Sequence, residues 1–284
     1  MAELPLVVVD VQRGGPSTGL PTKTEQSDLM QALYGRNGES PAIVLAASTP
    51  ANCFDWAYIA SKITLEHNTP VILLSDGFLG NGAEPLRIKS TQDMPNINAK
   101  ISTEKENYKP YQRDKKTLSR SLAIPGTKGL EHRLGGLEKE DVSGNVSYDP
   151  ENHQKMCSLR AEKVERVANY IPKQKVYGKK EGDLLVIGWG GTFGHLYSTV
   201  NDLEREGYSI GLCQFNYINP LPKNTTNILS KYKRIVVCEL NRGQFSNYLR
   251  MNFQDYNFEQ YNKIQGFPFT TTELKNHFKS LLKK

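Results

Sequence analysis

The sequence is poor in the residues that build metal centres. Its 284 residues include only four cysteines, Cys53, Cys157, Cys213 and Cys238, and no two form a Cys-x-x-Cys pair. The spacings of iron-sulfur and structural zinc sites are therefore missing. The five histidines, His67, His132, His153, His195 and His277, are scattered, with no two placed four apart in a ligand motif. No metal site is expected from these spacings. Nor does any stretch approach the roughly 18 consecutive apolar residues of a membrane span, and 38% hydrophobic beside 23% charged residues is the balance of a soluble globular chain. The amino terminus has no basic segment ahead of an apolar one and no small-residue cleavage site, so a cytoplasmic location is expected. The net charge of +6 is dispersed among acids except in short runs such as Arg113–Lys116 and Lys283–Lys284. Without stacking aromatics beside them, these runs describe a solvated surface and not a nucleic-acid site.

What is present reads as α/β. The length suits two domains of ordinary size. Leu6–Val11 is a short, nearly continuous apolar run, as expected of a parallel strand covered on both faces. Thr24 can cap a helix beginning at Glu25, with Leu29, Ala32 and Leu33 on one side and Gly35 as its stop. Ile43–Ala47 gives a second strand, and a helix after Pro50 carries a broad apolar stripe of Phe54, Ala57, Tyr58, Ile59 and Ile63. Pro70–Gly77 gives a third strand, completing β-α-β-α-β and a parallel sheet. From about Leu86 to Gly182 the chain turns polar and rich in Pro and Gly, as in a functional lid, an arm on a partner, or disorder. One helix is expected within it, from Asp149-Pro150 to about Ile171, with Leu159, Val164, Val167 and Ala168 on its apolar side. The β-α rhythm resumes with strands at Asp183–Gly188, Ile210–Phe215 and Arg234–Leu240, a helix over Thr192–Glu206 with Leu196, Val200 and Leu203 inward, and helices from about Gln244 and Thr272.

The stretch Asp10–Thr22, with Gln12-Arg13-Gly14-Gly15-Pro16-Ser17-Thr18-Gly19 at its centre, follows the carboxyl end of a strand, where open parallel sheets gather ligands. An arginine there offers a rigid fork of donors for a carboxylate or phosphate, and the glycines allow close backbone approach. Arg13 is the first choice for anion recognition; the alternative is an arginine paired with a structural acid such as Asp10. Gly188-Trp189-Gly190-Gly191-Thr192-Phe193-Gly194 joins a strand to a helix, but its Gly-x-Gly-x-x-x-Gly spacing is a weak match to a dinucleotide fingerprint.

The run from Val9 to Leu29, continuing to Ala32-Leu33-Tyr34-Gly35, closely resembles the alpha subunits of 2-oxoacid:ferredoxin oxidoreductases. Val71–Gly77, Gly129-Leu130-Glu131-His132, Asn241 and Gly243-Gln244 extend the resemblance over nearly the whole chain, and the Gln12-Arg13-Gly14-Gly15 form of the motif points to the 2-oxoglutarate type. The resemblance implies residues 1–88 as the remainder of a pyrimidine-type thiamine-diphosphate-binding domain, 89–181 as a linker or arm, and 182–284 as a transketolase carboxyl-terminal-like domain. Such enzymes decarboxylate a 2-oxoacid with thiamine diphosphate, pass electrons through iron-sulfur clusters to ferredoxin and transfer the acyl group to coenzyme A. By the same resemblance, the beta subunit supplies the diphosphate site, Mg2+ and a cluster. Arg13 is then the residue that binds the substrate carboxylate, with Ser17 and Thr18 beside it. His132 is a second anchor for a dicarboxylate or else part of a surface loop. Asn241 and Gln244 face coenzyme A or a neighbouring domain, helix capping being the alternative.

The family's activating glutamate and its Tyr-Pro-x-Thr-Pro motif are not found in this sequence. No catalytic residue is therefore assigned. Met1 is expected to be an internal start, in a truncated gene product, an expressed fragment or a split subunit, and the chain is expected to be inactive alone. Two other functions compete: an assembly scaffold of the same complex, and an independent NAD-binding module centred on Gly188.

Overall fold

In the computed structural model, which describes residues 1–282, both β-α rhythms become parallel sheets. The Lys283–Lys284 run lies outside the described residues. The first half comprises β1 (Leu6–Gln12), α1 (Leu29–Tyr34), β2 (Ile43–Ala46), α2 (Asn52–His67), β3 (Pro70–Asp76) and a short α3 (Gly77–Asn81). β3 lies between β1 and β2 and runs parallel to both. On its other side β2 receives an antiparallel strand from the second half, β7 (Tyr217–Asn219), so the sheet order is β1-β3-β2-β7. All four residues of β2 are buried, as their apolar character requires of a strand flanked by neighbours.

β1 departs from expectation. It is an edge strand, and Leu6, Val8, Val9 and Val11 are exposed. A continuous apolar run signals a strand but does not reveal what covers its faces. The first helix starts at Leu29, not Glu25, because the Thr24 hydroxyl is turned instead to Asp76 Oδ1, at 3.2 Å. Leu29, Ala32 and Leu33 are buried and Gly35 follows the helix, as expected. In α2 the buried positions are Ala60, Ile63, Thr64 and His67, while Phe54 and Ala57 are exposed; the covered stripe is narrower than the apolar one.

The second half begins with α4 (Pro150–Arg166), capped by Asp149, whose carboxylate accepts from the Asn152 amide at 2.7 Å. The helix tightens into a single 3-10 turn at Val167–Asn169. Then follow β4 (Tyr177–Gly178), β5 (Gly182–Trp189), α5 (Phe193–Arg205), β6 (Ile210–Phe215), β7, α6 (Thr225–Leu229), β8 (Tyr232–Glu239), α7 (Gln244–Asn252), β9 (Phe258–Asn262) and α8 (Thr271–Leu282). The second sheet has the order β4-β6-β5-β8-β9, parallel except for β4. Leu196, Val200 and Leu203 of α5 pack with Leu184 and Val186 of β5 and Phe278 of α8. β9 escapes sequence reading because Phe258-Glu259-Gln260-Tyr261-Asn262 has no apolar run. No helix among the described residues is long and apolar enough to cross a membrane.

The polar segment between the halves has little regular structure, yet it is packed down: Tyr111, Arg120 and Lys139 are buried. Charge replaces the missing apolar side chains. Glu3, buried near β1, accepts from Arg113 at 2.6 and 2.9 Å and from Lys163 of α4 at 2.5 Å, while Lys163 also donates to the Asn68 carbonyl at 2.9 Å. Burial alone would raise the Glu3 carboxyl, but Lys163 and Arg113 outweigh it and hold it at about 2. These bonds clamp the segment and α4 onto the first sheet.

His67, at the carboxyl end of α2, is buried against the Tyr170 ring, 5.3 Å between centroids, and its Nδ1 has no partner. Burial lowers its pKa to about 4. A base depressed on folding leaves stability intact above its unfolded value near 6.5 and removes it as pH falls through that value toward 4. The expected outcome is a loss of about 3 kcal/mol across this window that His67→Gln abolishes, read from urea unfolding at pH 7 and pH 4.5.

Candidate functional site

The loop after β1 is fixed at its base and free at its tip. Gln12 is buried, donates to the Ser75 carbonyl at 3.0 Å and accepts from the Asp28 amide at 3.0 Å. Gly14 donates to the Lys23 carbonyl at 3.0 Å and its own carbonyl accepts from Leu20 at 2.8 Å, closing the loop across its neck. Gly19 must be glycine here: its φ is +46° and a Cβ would lie 2.1 Å from the Gly14 carbonyl oxygen. From the second half, the Phe267 ring meets the Lys23 ammonium at 4.6 Å and braces the loop's far side.

Arg13, Ser17 and Thr18 all stand exposed on this braced loop. Arg13 takes part in none of the salt bridges among the described residues, so the pairing with Asp10 considered from sequence is not formed. Its backbone carbonyl accepts from the Ser27 hydroxyl at 3.4 Å, which leaves the guanidinium free. Burial pushes the carboxyls of Asp10, Glu25 and Asp28 upward, and Asp28 adds to the rise in the other two. A free guanidinium fork on a braced loop is suited to an anion with two coplanar oxygens.

Below the loop the carboxyl ends of strands from both sheets meet. Gln26 is fully buried and donates to the Trp189 carbonyl at 2.7 Å, while its side-chain oxygen accepts from the Leu240 amide at 2.9 Å. Asp76, at the end of β3, accepts from Phe78 and Leu79 through one oxygen and from the Gly191 amide through the other, at 2.9 Å. Burial raises the Asp76 carboxyl against these bonds. The glycines after β5 thus serve contact between the halves. A Cβ on Gly191 would stand 2.4 Å from Asp76 Oδ2. The turn is filled by Asp76, which leaves no room there for the pyrophosphate of a dinucleotide. Gly191→Ala is expected to cost about 2 kcal/mol or more, as overpacking and a lost charged hydrogen bond together require, and the midpoint of urea unfolding measures it.

The remaining expected site residues lie elsewhere. Asn241 is buried; its amide donates to the Gln26 carbonyl at 2.7 Å and to Glu239 at 3.0 Å, and its oxygen accepts from Gly243 and Gln244. Gln244 donates to the Ser27 carbonyl at 2.7 Å and accepts from the Met30 amide at 2.9 Å. Both therefore tie the second half to the first, and Asn241 keeps no free donor for coenzyme A. Beside them, fully buried Glu239 accepts from Trp189 Nε1, Asn241, Phe245 and Ser246. Sequence reading passed over this glutamate, although an acid at the end of an apolar strand, just before a helix, is a visible signal.

His132 sits in a separate open cavity of about 500 Å³ in the polar segment, beside Lys105, Tyr108, Glu131 and Arg133. Its Nδ1 donates to the Leu130 carbonyl at 2.9 Å and its buried Nε2 has no partner. No residue of the Arg13 loop lines that cavity. The structure therefore brings Arg13, Ser17 and Thr18 together, but not with His132.

Residues 1–149 match the family model described as pyruvate flavodoxin/ferredoxin oxidoreductase, thiamine diphosphate-binding, and residues 182–275 match pyruvate:ferredoxin oxidoreductase core domain II. The 2-oxoglutarate oxidoreductase subunit KorA of Mycobacterium tuberculosis is 45% identical over 99% of this chain and 43% of its own length. The alpha subunit of the 2-oxoacid:ferredoxin oxidoreductase of Saccharolobus solfataricus is 31% identical, over 100% and 46%. A solved structure of 2-oxoglutarate:ferredoxin oxidoreductase from Magnetococcus marinus, with 2-oxoglutarate, coenzyme A and succinyl-CoA bound, superposes with a TM-score of 0.92 at 33% identity, covering 99% of this chain and 49% of that one. The chain thus spans about half the length of these relatives. With a parallel-sheet domain ending in a braced arginine loop, and a family match across more than half its residues, the chain belongs to the pyruvate flavodoxin/ferredoxin oxidoreductase family.

Proposed function

We propose that the chain is the substrate-recognising part of the alpha subunit of a 2-oxoglutarate:ferredoxin oxidoreductase, and that Arg13 holds the carboxylate next to the reacting carbonyl. The observation that carries this reading is the free Arg13 guanidinium on a loop braced from both halves of the chain. When bound, thiamine diphosphate supplies the carbanion chemistry of decarboxylation, and coenzyme A accepts the acyl group. This chain's contribution is to bind and orient: a bidentate contact fixes the plane of the 2-oxoacid, and Ser17 and Thr18 offer hydroxyls from the same loop. Proximity of this kind lowers the barrier without a proton transfer by the arginine.

The free guanidinium of Arg13 suits the carboxylate of the substrate. Among the described residues the one cluster able to hold a metal ion is Glu138, His153 and Cys157, in and beside α4, well separated in the chain from the Arg13 loop. By resemblance to the family, the diphosphate, Mg2+ and iron-sulfur clusters are assigned to a beta subunit, with ferredoxin as electron acceptor and the cytoplasm as location. His132 serves as a second anchor only if assembly brings its cavity toward the loop.

The test is coenzyme-A-dependent reduction of a viologen dye by 2-oxoglutarate. The chain would be assayed alone, with its neighbouring beta subunit, and with both the beta subunit and the adjoining upstream coding sequence. Activity confined to the assembled forms supports the proposal. Reduction by the chain alone, or by no combination, would remove it.

A further inference from the structure

The cavity beside His132 stands apart from the Arg13 loop and carries positive charge that the proposed function does not use. Lys105 and Arg133 both line it and are exposed. Glu131 is the acid among its lining residues, and one of its carboxylate oxygens accepts from the Gly129 amide at 2.8 Å. Glu104 and Glu106, which flank Lys105 in the chain, line a neighbouring depression and not this cavity. Tyr108 and His132 supply a wall of rings, packed edge to face with 5.5 Å between centroids.

Exposed cations are ordinary on a protein surface. What distinguishes this cavity is the charge buried behind its wall. Arg120 and Lys139 are fully buried. Like Lys105 and Arg133, they take part in none of the salt bridges among the described residues. Arg120 donates to the Ala2 carbonyl at 2.9 Å and to the Pro110 carbonyl at 3.3 Å, and Pro110 lines the cavity. Burial raises the Tyr108 hydroxyl, and the nearby charge of Arg120 opposes that rise. Lys139 donates to the carbonyls of Gly135 and Leu137. Burial lowers its pKa; Glu138 opposes the fall, while Arg120 and Arg133 add to it. Carbonyl dipoles solvate these two cations without cancelling their charge, so a wall of low dielectric carries their field into the cavity.

The volume of about 500 Å³ suits a small molecule. One carboxylate is matched by a single arginine fork, whereas a fork, an ammonium and a field from behind suit a ligand with several charged oxygens, as in a phosphate chain.

We infer that this cavity binds the phosphate groups of a small phosphorylated ligand, with Arg133 and Lys105 as direct partners and Arg120 and Lys139 as fixed charges behind them. The inference needs only the folded chain and stands apart from Arg13 and the proposed activity. Free diphosphate and the phosphates of coenzyme A share the chemistry that such a site recognises.

The experiment titrates the full chain with inorganic pyrophosphate by calorimetry at low ionic strength, where screening is weakest. Binding at one site is expected, and Arg133→Ala and Lys105→Ala should each weaken it about tenfold, the low end of what a charge-assisted hydrogen bond contributes. Both residues are exposed, so the variants keep the fold, which unchanged melting temperatures verify. Coenzyme A is the second titrant. If it binds more tightly than pyrophosphate and weakens in the same variants, coenzyme A is the source of the phosphates; if not, free phosphates are, and phosphate recognition stands in both cases. Binding of neither titrant, binding that survives both substitutions, or binding lost instead in Arg13→Ala would overturn the inference. So would 2-oxoglutarate binding as tightly as pyrophosphate and weakening in the same two variants, which would make the cavity a carboxylate site.

Discussion

Replacing Arg13 by alanine in the assembled enzyme is expected to lower kcat/KM for the 2-oxoacid by about 10²-fold, the loss of about 3 kcal/mol that a charge-assisted bidentate contact supplies. The guanidinium is free and its loop is anchored independently of it through Gln12, Gly14, Leu20 and Lys23. The substitution should therefore leave folding untouched, and unchanged unfolding midpoints would check that. Arg13→Lys keeps the charge but loses the fork, so a partial recovery, expressed chiefly in KM, is expected from steady-state kinetics. Full activity in Arg13→Lys would mean that charge alone matters and that the planar geometry does not.

The largest effect on stability is expected at Glu3. Removing its carboxylate by Glu3→Ala leaves the buried Lys163 ammonium without its anion and Arg113 with Asp141, at 3.7 Å, as its remaining acid. Breaking a buried pair from one side costs about 3–5 kcal/mol, enough to release the polar segment and α4 from the first sheet. Lys163→Met combined with Glu3→Leu should recover the share of this loss due to Lys163, since an apolar pair of similar size avoids the desolvation cost, while the share due to Arg113 remains. Urea unfolding of the single and double variants measures both. The same ion group makes the chain acid-sensitive. A carboxyl held at about 2 contributes stability that is complete above its unfolded value of 4.5 and is lost as pH falls from there toward 2. Glu3→Ala should flatten that part of the pH profile.

The parts of the fold legible in the sequence were those that depend on local pattern. β2, β3, β5, β6 and β8 are apolar runs, and α5 shows its buried face in Leu196, Val200 and Leu203. What escaped depends on contacts distant in the chain. Thr24 looks like a helix cap until Asp76, 52 residues away, takes its hydroxyl. Asn241 and Gln244 look equally able to face a ligand or a domain, and only the position of Gln26 and Ser27 decides between them. The exposure of β1 is likewise absent from its own residues, because an apolar strand reads the same whether its covering lies within the chain or outside it.

At the candidate site, Arg13 stood out for a physical reason: an arginine among glycines at a strand end has few apolar neighbours to pack against. That its guanidinium is free, and not paired with Asp10, required the structure. Conversely, the polar segment read as an arm, lid or disordered stretch because its core is built from Glu3, Arg113, Lys139 and Lys163, residue types that ordinarily mark a surface. Glu138, His153 and Cys157 were invisible for the same reason, since one of the three reaches α4 only through the folding of that segment.

The most direct measurement is the equilibrium affinity of the assembled enzyme for an unreactive phosphonate analogue of 2-oxoglutarate, by titration calorimetry, with and without Arg13→Ala. If Arg13 holds the carboxylate, affinity falls by about 10²-fold while Ser17→Ala and Thr18→Ala change it by tenfold or less. An Arg13→Ala enzyme that binds the analogue as tightly as the unaltered one would place the anion site elsewhere and contradict the assignment.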